Sequence, residues 1–348
     1  AHNSVKNGSS GFMTKAIALL SGGLDSTLAV KLMIEQGIEV HALNFTSAFC
    51  TCNSGGAKEG GCKSEAARVA VEFGIPIRTL VKGLEYMAIV RRPRHGYGKG
   101  INPCVDCRIY MFRAAKKYME EIGASFIITG EVLGQRPMSQ RKDAFRVIER
   151  ESGLEGLILR PLCAQHLEPT RPEIEGLVDR SRLPAIEGRS RKEQMALAFD
   201  LGVNDYPCPS GGCLLTDKIF SKKVKDLLDN KKELTKKDLS ILRSGRHFRF
   251  NGVKVVVGRN EADNERLKSL IQSGETLVEP DDFPGPVAIV ALGMSNVALH
   301  FAAGLILKYS SGKGVTKGTF RTSVDGEAGF IEVSTPVSDE AAEGARVC

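Results

Sequence analysis

The segment Ser21-Gly22-Gly23-Leu24-Asp25-Ser26 most constrains how this chain can fold, because it directly follows the apolar run from Ala16 to Leu20. An apolar strand, a glycine-rich turn and a helix together have the layout of a phosphate-binding loop. The glycines allow backbone N–H groups to approach an anion, and the helix that follows presents its positive end. The common phosphate loop carries a Lys-Ser or Lys-Thr pair after its second glycine, and this segment has neither.

Strand-like and helix-like runs alternate along the N-terminal half of the chain. The predicted strands cover 16–20, 38–45, 75–80 and 126–129, and the predicted helices cover 25–36, 66–73 and 109–122. This alternation predicts an α/β fold with a doubly wound parallel sheet. Because ligands of such sheets bind at the carboxyl ends of the strands, the residues that follow three of these strands should converge on one nucleotide site.

The glycine-rich segment resembles the PP-loop of ATP pyrophosphatases, which cleave ATP between the α- and β-phosphates and adenylate a carbonyl oxygen. The resemblance implies ATP as a ligand. Asp25 beside a triphosphate implies Mg²⁺, which prefers carboxylate and phosphate oxygens, and makes Asp25 a catalytic candidate. The candidate nucleotide-binding residues are Leu20, Ser21, Gly22, Gly23, Asp25, Ser26, Asn44, Phe45, Thr129, Gly130, Gln135 and Ser139.

Two cysteines open a further predicted helix in the segment Asn102-Pro103-Cys104-Val105-Asp106-Cys107. A helix N-terminus brings both sulfurs to a place where the dipole lowers the pKa of a thiol. The spacing fits a redox pair, half of a zinc site, or two ligands of an iron–sulfur cluster. As a third cysteine we favour Cys213, which follows two glycines, over Cys208. Three thiolates around a [4Fe–4S] cluster leave one iron open to a substrate atom such as sulfide.

Three more cysteines, Cys50, Cys52 and Cys62, lie in and beside a glycine-rich stretch that follows the second predicted strand. Their spacing could hold zinc if a fourth ligand were present, because structural zinc sites use four. The sequence reveals no such ligand. The alternative is a loop that carries thiols, and the sequence leaves the two open.

The motifs SGGLDS, NPCVDC and SGGC together resemble the PP-loop enzymes that thiolate tRNA, over roughly residues 14–216. NPC-x-x-C is similar to the 2-thiouridylases, whereas ITGEVLGQRPMSQ and LRPL are closer to the 4-thiouridine synthetases. The resemblance implies an ATP-dependent tRNA sulfurtransferase that adenylates a uridine carbonyl oxygen, releases pyrophosphate and AMP, and installs sulfur. It also implies that the sulfur is delivered on a [4Fe–4S] cluster whose metal ligands are Cys104, Cys107 and Cys213, which are therefore catalytic candidates.

The composition changes after Leu215. Residues 218–259 hold 13 Lys or Arg against four acidic residues, and Asn251-Gly252 lies between two β-rich runs, as in a two-residue hairpin. The region from 218 to about 309 resembles an NFACT-R-type RNA-binding module. We therefore expect a catalytic domain over 14–214, a smaller α+β RNA-binding domain over 215–334 and a flexible tail over 335–348. Residues 1–13 are expected to be disordered or a remnant of the expression vector.

Three alternatives remain open at this stage. Cys213 could carry a persulfide with Cys104 as the resolving thiol; the chain could be a small-molecule PP-loop ligase with structural zinc; or it could be a non-catalytic RNA-binding protein. The expected partners are tRNA and a sulfide or persulfide donor, with no membrane, and a homodimer is left open. Nine cysteines without an export signal favour reduced thiols and a cytoplasmic location.

Overall fold

Strands and helices alternate through the N-terminal half of the chain. The structure, a computed structural model, describes residues 14–50, 61–206, 212–291, 296–310 and 314–348, and residues 61–64 by their backbone alone. One unit runs to Gly98 and again from Asn102 to Cys213, and a second comprises Lys99–Ile101 and the chain from Leu214 onward. None of the helices in the described part of the chain is both long and apolar enough to cross a bilayer.

The first unit contains five strands and seven α-helices among the described residues. In chain order they are β1 (Lys15–Leu19), α1 (Leu24–Ile34), β2 (Glu39–Ser47), α2 (Gly61–Glu72), β3 (Ile77–Lys82), α3 (Leu84–Arg91), α4 (Cys104–Ile122), β4 (Phe126–Thr129), α5 (Lys142–Ser152), β5 (Ile158–Leu159), α6 (Arg171–Ile174) and α7 (Lys192–Asp200).

The five strands form one sheet in the order β3-β2-β1-β4-β5, with every neighbouring pair parallel. The chain proceeds outward from β1 to β3 and then crosses to β4 on the other side of β1. The strand order therefore reverses between β1 and β4, and doubly wound sheets bind their ligands at such a switch point. The predicted α/β fold is confirmed.

The central strand β1 is covered on both of its faces. Ala16 and Ala18 belong to the core that includes Leu28 of α1, whereas Ile17 belongs to the core that includes Phe112 of α4. A strand that is buried on both faces has no polar positions to alternate with its apolar ones. This explains why the sequence here is a continuous apolar run, and it fixes the glycine-rich segment at the carboxyl edge of the sheet.

The second unit is built on an antiparallel sheet of six strands in the order β11-β10-β8-β9-β7-β6. Its elements are α8 (Lys218–Asn230), α9 (Lys236–Ile241), β6 (Arg246–Phe250), β7 (Val253–Val257), α10 (Glu261–Leu270), β8 (Thr276–Pro280), β9 (Ala288–Val290), α11 (Asn296–Tyr309), β10 (Gly318–Val324), β11 (Glu327–Val333) and α12 (Asp339–Ala345).

The hairpin predicted for this unit is present, whereas the segment predicted to be a flexible tail is folded. Strands β6 and β7 pair directly, and Asn251 and Gly252 both have positive φ (47° and 81°), as a tight hairpin turn requires. The segment 335–348 was expected to be flexible, but residues 339–345 form α12. Ala342 is buried in the core of the unit, and Val347 N donates to His247 O at 3.0 Å. The tail prediction is wrong because this apolar contact and the backbone bond hold the segment on β6.

Candidate active site

The glycine-rich loop that follows β1 closes on itself through its serines. Ser26 Oγ donates to Gly23 O at 2.9 Å and lies 3.0 Å from Ser21 Oγ. Gly22 has a φ of +79°, and a Cβ there would lie 2.6 Å from the backbone of Glu65 and Ala66. This position therefore needs glycine both for its backbone conformation and for its close approach to α2.

The first turn of α1 points its N–H groups toward this loop. Its N-cap is Gly23, which offers no side chain to bond those groups. Uncapped N–H groups and the positive end of the helix favour a bound anion. The loop thus has the properties of a phosphate site that the sequence predicts, with Leu20, Ser21, Gly22, Gly23 and Ser26 at the carboxyl end of β1.

The residues after β4 lie against this loop. A Cβ on Gly130 would lie 2.5 Å from the backbone of Asp25 and Ser26, so Thr129 and Gly130 reach the edge predicted for them. Asn44 is buried and donates from Nδ2 to Leu20 O at 2.8 Å, so it stabilises the start of the loop. Phe45 packs against the core that includes Ile17, on the face of the sheet covered by α4.

The Asp25 carboxylate is approached by polar side chains from two distant segments of the chain. Its Oδ2 accepts a hydrogen bond from Gln135 Nε2 at 3.0 Å, which brings a residue of the predicted nucleotide loop to this carboxylate. Its Oδ1 is buried and has no hydrogen-bond partner among the described residues. A buried carboxylate oxygen without a donor is a ligand available to a cation, so this position fits the implied Mg²⁺. Ser139, also predicted here, is buried within the same loop.

A residue that sequence reasoning missed approaches the same carboxylate. Arg191 Nη2 lies 3.7 Å from Asp25 Oδ2, and Arg191 is the N-cap of α7. The preceding segment is held beside the loop after β4, because Gly188 N donates to Leu133 O at 2.7 Å. The basic run Arg189-Ser190-Arg191-Lys192 directly before a helix was the available signal. Arg191 brings a cation to a loop suited to phosphate.

The predicted pair of thiols lies at the start of α4. Cys104 is the first residue of this helix, and Cys107 N donates to Pro103 O at 2.8 Å. Lys82 Nζ, at the end of β3, donates to Cys107 Sγ at 3.5 Å. Burial raises the pKa of the Cys104 thiol above its usual value, and the neighbouring Cys107 raises it further. A backbone hydrogen bond at the start of the helix still lowers this pKa, but desolvation, which disfavours the thiolate, outweighs it.

The third predicted thiol reaches the same neighbourhood. The buried Tyr86 has its pKa raised well above the usual range, first by burial and then by the nearby thiols of Cys107, Cys213 and Cys104. All three cysteines therefore lie in the neighbourhood of one tyrosine hydroxyl. The alternative ligand, Cys208, lies outside the described residues.

The structure brings a fourth cysteine to this cluster of thiols. Cys50 and Cys213 pair backbone to backbone in an isolated antiparallel bridge. The Cys50 thiol lies 3.4 Å from Ser47 Oγ, at the end of β2. Residues that face each other in such a bridge have Cα atoms about 4.5–5.5 Å apart. Cys52 and the side chain of Cys62 lie outside the described residues.

The thiols do not form a ready-made site for a single metal ion. Within the part of the chain that the structure describes, no three His, Cys, Asp or Glu side chains are placed to hold one metal ion. A single zinc ion would need four such donors around one point.

A buried ionic network joins the loop after β4 to the cysteine helix. Glu131 is 1% exposed, and its carboxylate lies 3.2 Å from Arg108 Nε and 3.3 Å from Arg160 Nε. Arg108 directly follows Cys107 on α4, and Glu131 directly follows Gly130. A charge this deeply buried is stable only when it is paired. The network therefore fixes the position of the loop after β4 relative to the helix that carries the thiols.

The basic stretch of the second unit divides into internal and external charges. Asp226 binds Arg249 and Lys254, each at 2.6 Å, and burial lowers the pKa of Lys254. Lys223 is buried and donates to backbone carbonyls of residues 242 and 245. By contrast Lys218, Lys222 and Lys225 are exposed at i, i+4 and i+7 of α8. These three lysines share one face of a helix, so this face is the candidate surface for an anionic partner.

Comparison with known proteins gives family matches in both parts of the chain. Residues 11–169 match the family model described as ThiI, thiamine biosynthesis protein, and residues 245–343 match the NFACT protein RNA binding domain. The latter range begins later and extends further than the sequence predicts. The second match lies within the second unit, and the first lies within the first unit apart from residues 99–101.

Curated relatives are similar over the first part of the chain. A tRNA sulfurtransferase of Psychromonas ingrahamii is 31% identical over 210 residues, which cover 56% of this chain and 41% of that protein. A probable tRNA sulfurtransferase of Methanothermobacter thermautotrophicus is 30% identical over 170 residues, which cover 49% and 41%. The chain thus spans about two fifths of the length of these relatives.

Among solved structures, a crystal structure of a 4-thiouridine synthetase–RNA complex with bound ATP matches with a TM-score of 0.34 and 24% identity. The match covers 55% of this chain and 52% of that chain. The family and sequence matches are the stronger findings. The predicted resemblance to the tRNA thiolation enzymes, and of the C-terminal part to the NFACT RNA-binding module, is therefore confirmed.

Proposed function

We propose that this chain is an ATP-dependent tRNA sulfurtransferase that adenylates a uridine carbonyl oxygen and then replaces that oxygen with sulfur. The observation that carries the proposal is the phosphate-type loop at the switch point of the sheet, with the buried, unpartnered Asp25 Oδ1 beside it. The ThiI family match and the tRNA sulfurtransferase relatives support the choice of reaction.

The nucleotide site would carry the adenylation. The uridine oxygen attacks the α-phosphorus of ATP, the bond to the β-phosphate breaks, and pyrophosphate leaves. Backbone N–H groups of the loop and of the first turn of α1 are aimed at the phosphates, where they stabilise the charge that develops. Asp25 would hold Mg²⁺, which supplies charge neutralisation at the phosphate oxygens. Arg191 adds a cation from α7.

Adenylation prepares the base for sulfur. It converts the carbonyl oxygen into part of AMP, a much better leaving group. A base paired within a helix cannot reach such a site, so the target uridine must be splayed out. The second unit, with its NFACT-type match and the exposed lysines of α8, would hold the RNA through its phosphates.

The cysteines would supply the sulfur-transfer site. Cys104, Cys107 and Cys213 would hold the [4Fe–4S] cluster, which supplies an open iron able to bind sulfide. Burial raises the pKa of the Cys104 thiol, and a metal binds the thiolate, so metal binding would displace a proton there. Tyr86 and Phe49 close the buried side of this site.

A cluster-free variant of the reaction has one observation in its favour. If Cys213 carried a persulfide, a second thiol would be needed to release the product. The sequence suggested Cys104 for this role, and the bridge places Cys50 opposite Cys213 as a second candidate. Transfer would leave a disulfide that an external thiol must reduce. An iron-free protein that thiolates tRNA, and that loses turnover but not the first transfer when Cys50 is replaced, would favour this variant.

The decisive experiment measures both halves of the reaction on protein prepared without oxygen. Wild type should hold close to four irons per chain and release pyrophosphate only when unmodified tRNA is present. A Cys104→Ala/Cys107→Ala variant should lose the iron but keep tRNA-dependent pyrophosphate release. Asp25→Asn, which preserves the shape of the side chain, should keep the iron but lose pyrophosphate release. If no tRNA elicits pyrophosphate from wild type, the proposed function is refuted.

A further inference from the structure

The lysine at the end of β3 has an unusual environment. Lys82 is half-buried, and its Nζ donates to Cys107 Sγ at 3.5 Å and lies 5.1 Å from the centre of the Tyr86 ring. Within the described ranges, no carboxylate lies within 4.0 Å of its ammonium group. A lysine that is partly removed from water usually has such a partner. Here the charge is directed at a thiol instead.

The ring beside Lys82 is more deeply buried than the lysine. Tyr86 is 1% exposed, and Phe49 and Tyr110 flank its ring, with ring centres 6.4 Å and 5.6 Å away. An ammonium group therefore lies beside one sulfur atom and against an aromatic wall. Its N–H donors and its positive charge form a site for a small anion.

We infer that Lys82, which lies against the ring of Tyr86, forms a binding site for anionic sulfur next to Cys107. The site holds the intact hydrosulfide or persulfide anion by its charge, with no bond made or broken, before the sulfur is transferred to the activated base. The identity of the anion rests on the proposed function, but the existence of an anion site does not. Hydrosulfide and persulfide anions are both anionic sulfur at neutral pH, so one ammonium group suits either source. Lys82 acts here as a positioning residue.

The anion site is tested by alkylation of Cys107 in the full-length, cluster-free protein. Iodoacetate is anionic and iodoacetamide is neutral, and both react with the thiolate. The ratio of their rates therefore cancels the fraction of thiolate and reports the attraction of an anion to this sulfur. One unit charge at about 4 Å in water changes such a ratio by roughly fivefold. Peptide mass spectrometry gives both rates at Cys107 alone.

Matched variants show whether the charge of Lys82 determines the ratio of the two alkylation rates. Lys82→Met should lower the ratio about fivefold, whereas Lys82→Arg, which keeps the charge, should retain most of it. Lys117→Met removes an exposed lysine from the same helix as Cys107 and should leave the ratio unchanged. Equal ratios for Lys82→Met and wild type, within twofold, would overturn the inference. Lys82→Gln provides a second neutral variant if Lys82→Met does not fold.

A kinetic measurement then identifies the anion. With saturating ATP and tRNA, Lys82→Met should raise the KM for sodium sulfide while tRNA-dependent pyrophosphate release stays unchanged. A higher KM for a persulfide donor alone, with the KM for free sulfide unaltered, would identify the persulfide as the source. If neither KM changes although the alkylation ratio falls, the site does not serve sulfur. If wild type releases no pyrophosphate, the proposed function fails, and the alkylation ratio still decides the anion site.

Discussion

The contact between Gly130 and the phosphate-type loop gives the sharpest test of the nucleotide site. A Cβ at position 130 would lie 2.5 Å from the backbone of Asp25 and Ser26, and ordinary contacts begin near 3.4 Å. The obstacle is backbone on both sides, so no flexible side chain can move away. Gly130→Ala must therefore displace one loop from the other by about 1 Å, and a misplacement of that size costs roughly a hundredfold in rate.

The assay is single-turnover release of pyrophosphate with saturating ATP and tRNA, together with a urea unfolding curve. Overpacking should lower the free energy of unfolding by about 1–3 kcal/mol, so the protein should remain folded. Gly344→Ala is the matched control, because a Cβ there meets nothing within 4 Å. If Gly130→Ala releases pyrophosphate within threefold of wild type, the two loops are not in contact in the working enzyme and the site geometry is refuted.

Three further predictions concern the rest of the molecule. Glu131→Gln removes the charge that Arg108 and the buried Arg160 share, but Arg160 keeps its ion pair with Glu149, so the free energy of unfolding in urea should fall by about 1–3 kcal/mol. Replacing Lys218, Lys222 and Lys225 by alanine should weaken RNA binding and make the slope of log K against log salt shallower by about 2–3. Cys50→Ala should retain the iron that Cys213→Ala loses, since the cluster needs only three of the four thiols; equal loss in both would reassign the ligands.

The local features of the first unit could be predicted because each follows from a short stretch of sequence. A strand buried on both faces requires a continuous apolar run, and 16–20 has one. Gly22 and the start of the helix that follows it also lie within a short stretch of sequence, so the anion site could be predicted from that stretch. Helix α5 was not assigned, although Ala144, Phe145 and Ile148 share its buried face. Most of the other residues of this helix are charged or polar, so its apolar periodicity is weak in the sequence.

Two contacts of the site could not be predicted because nothing in the local sequence encodes them. Arg191 reaches Asp25 only because the segment before α7 is bonded to the loop after β4. Cys50 meets Cys213 through a bridge between the end of β2 and a distant stretch of chain. Spacing within a motif reports neighbours along the chain, whereas partners of this kind depend on how the whole sheet closes.

The basic stretch 218–259 illustrates why a count of charges overestimates a binding surface. If all 13 cations contacted phosphates, log K would fall with log salt at a slope of about −9 to −12. Lys223 is buried, and Lys231, Arg249, Lys254 and Arg259 are bound to carboxylates, so these five charges already have partners within the unit. Of the other eight cations, six are exposed lysines, at 218, 222, 225, 232, 236 and 237. They support a slope of only about −4 to −5. A measured slope near −10 would mean that the internal ion pairs open when RNA binds.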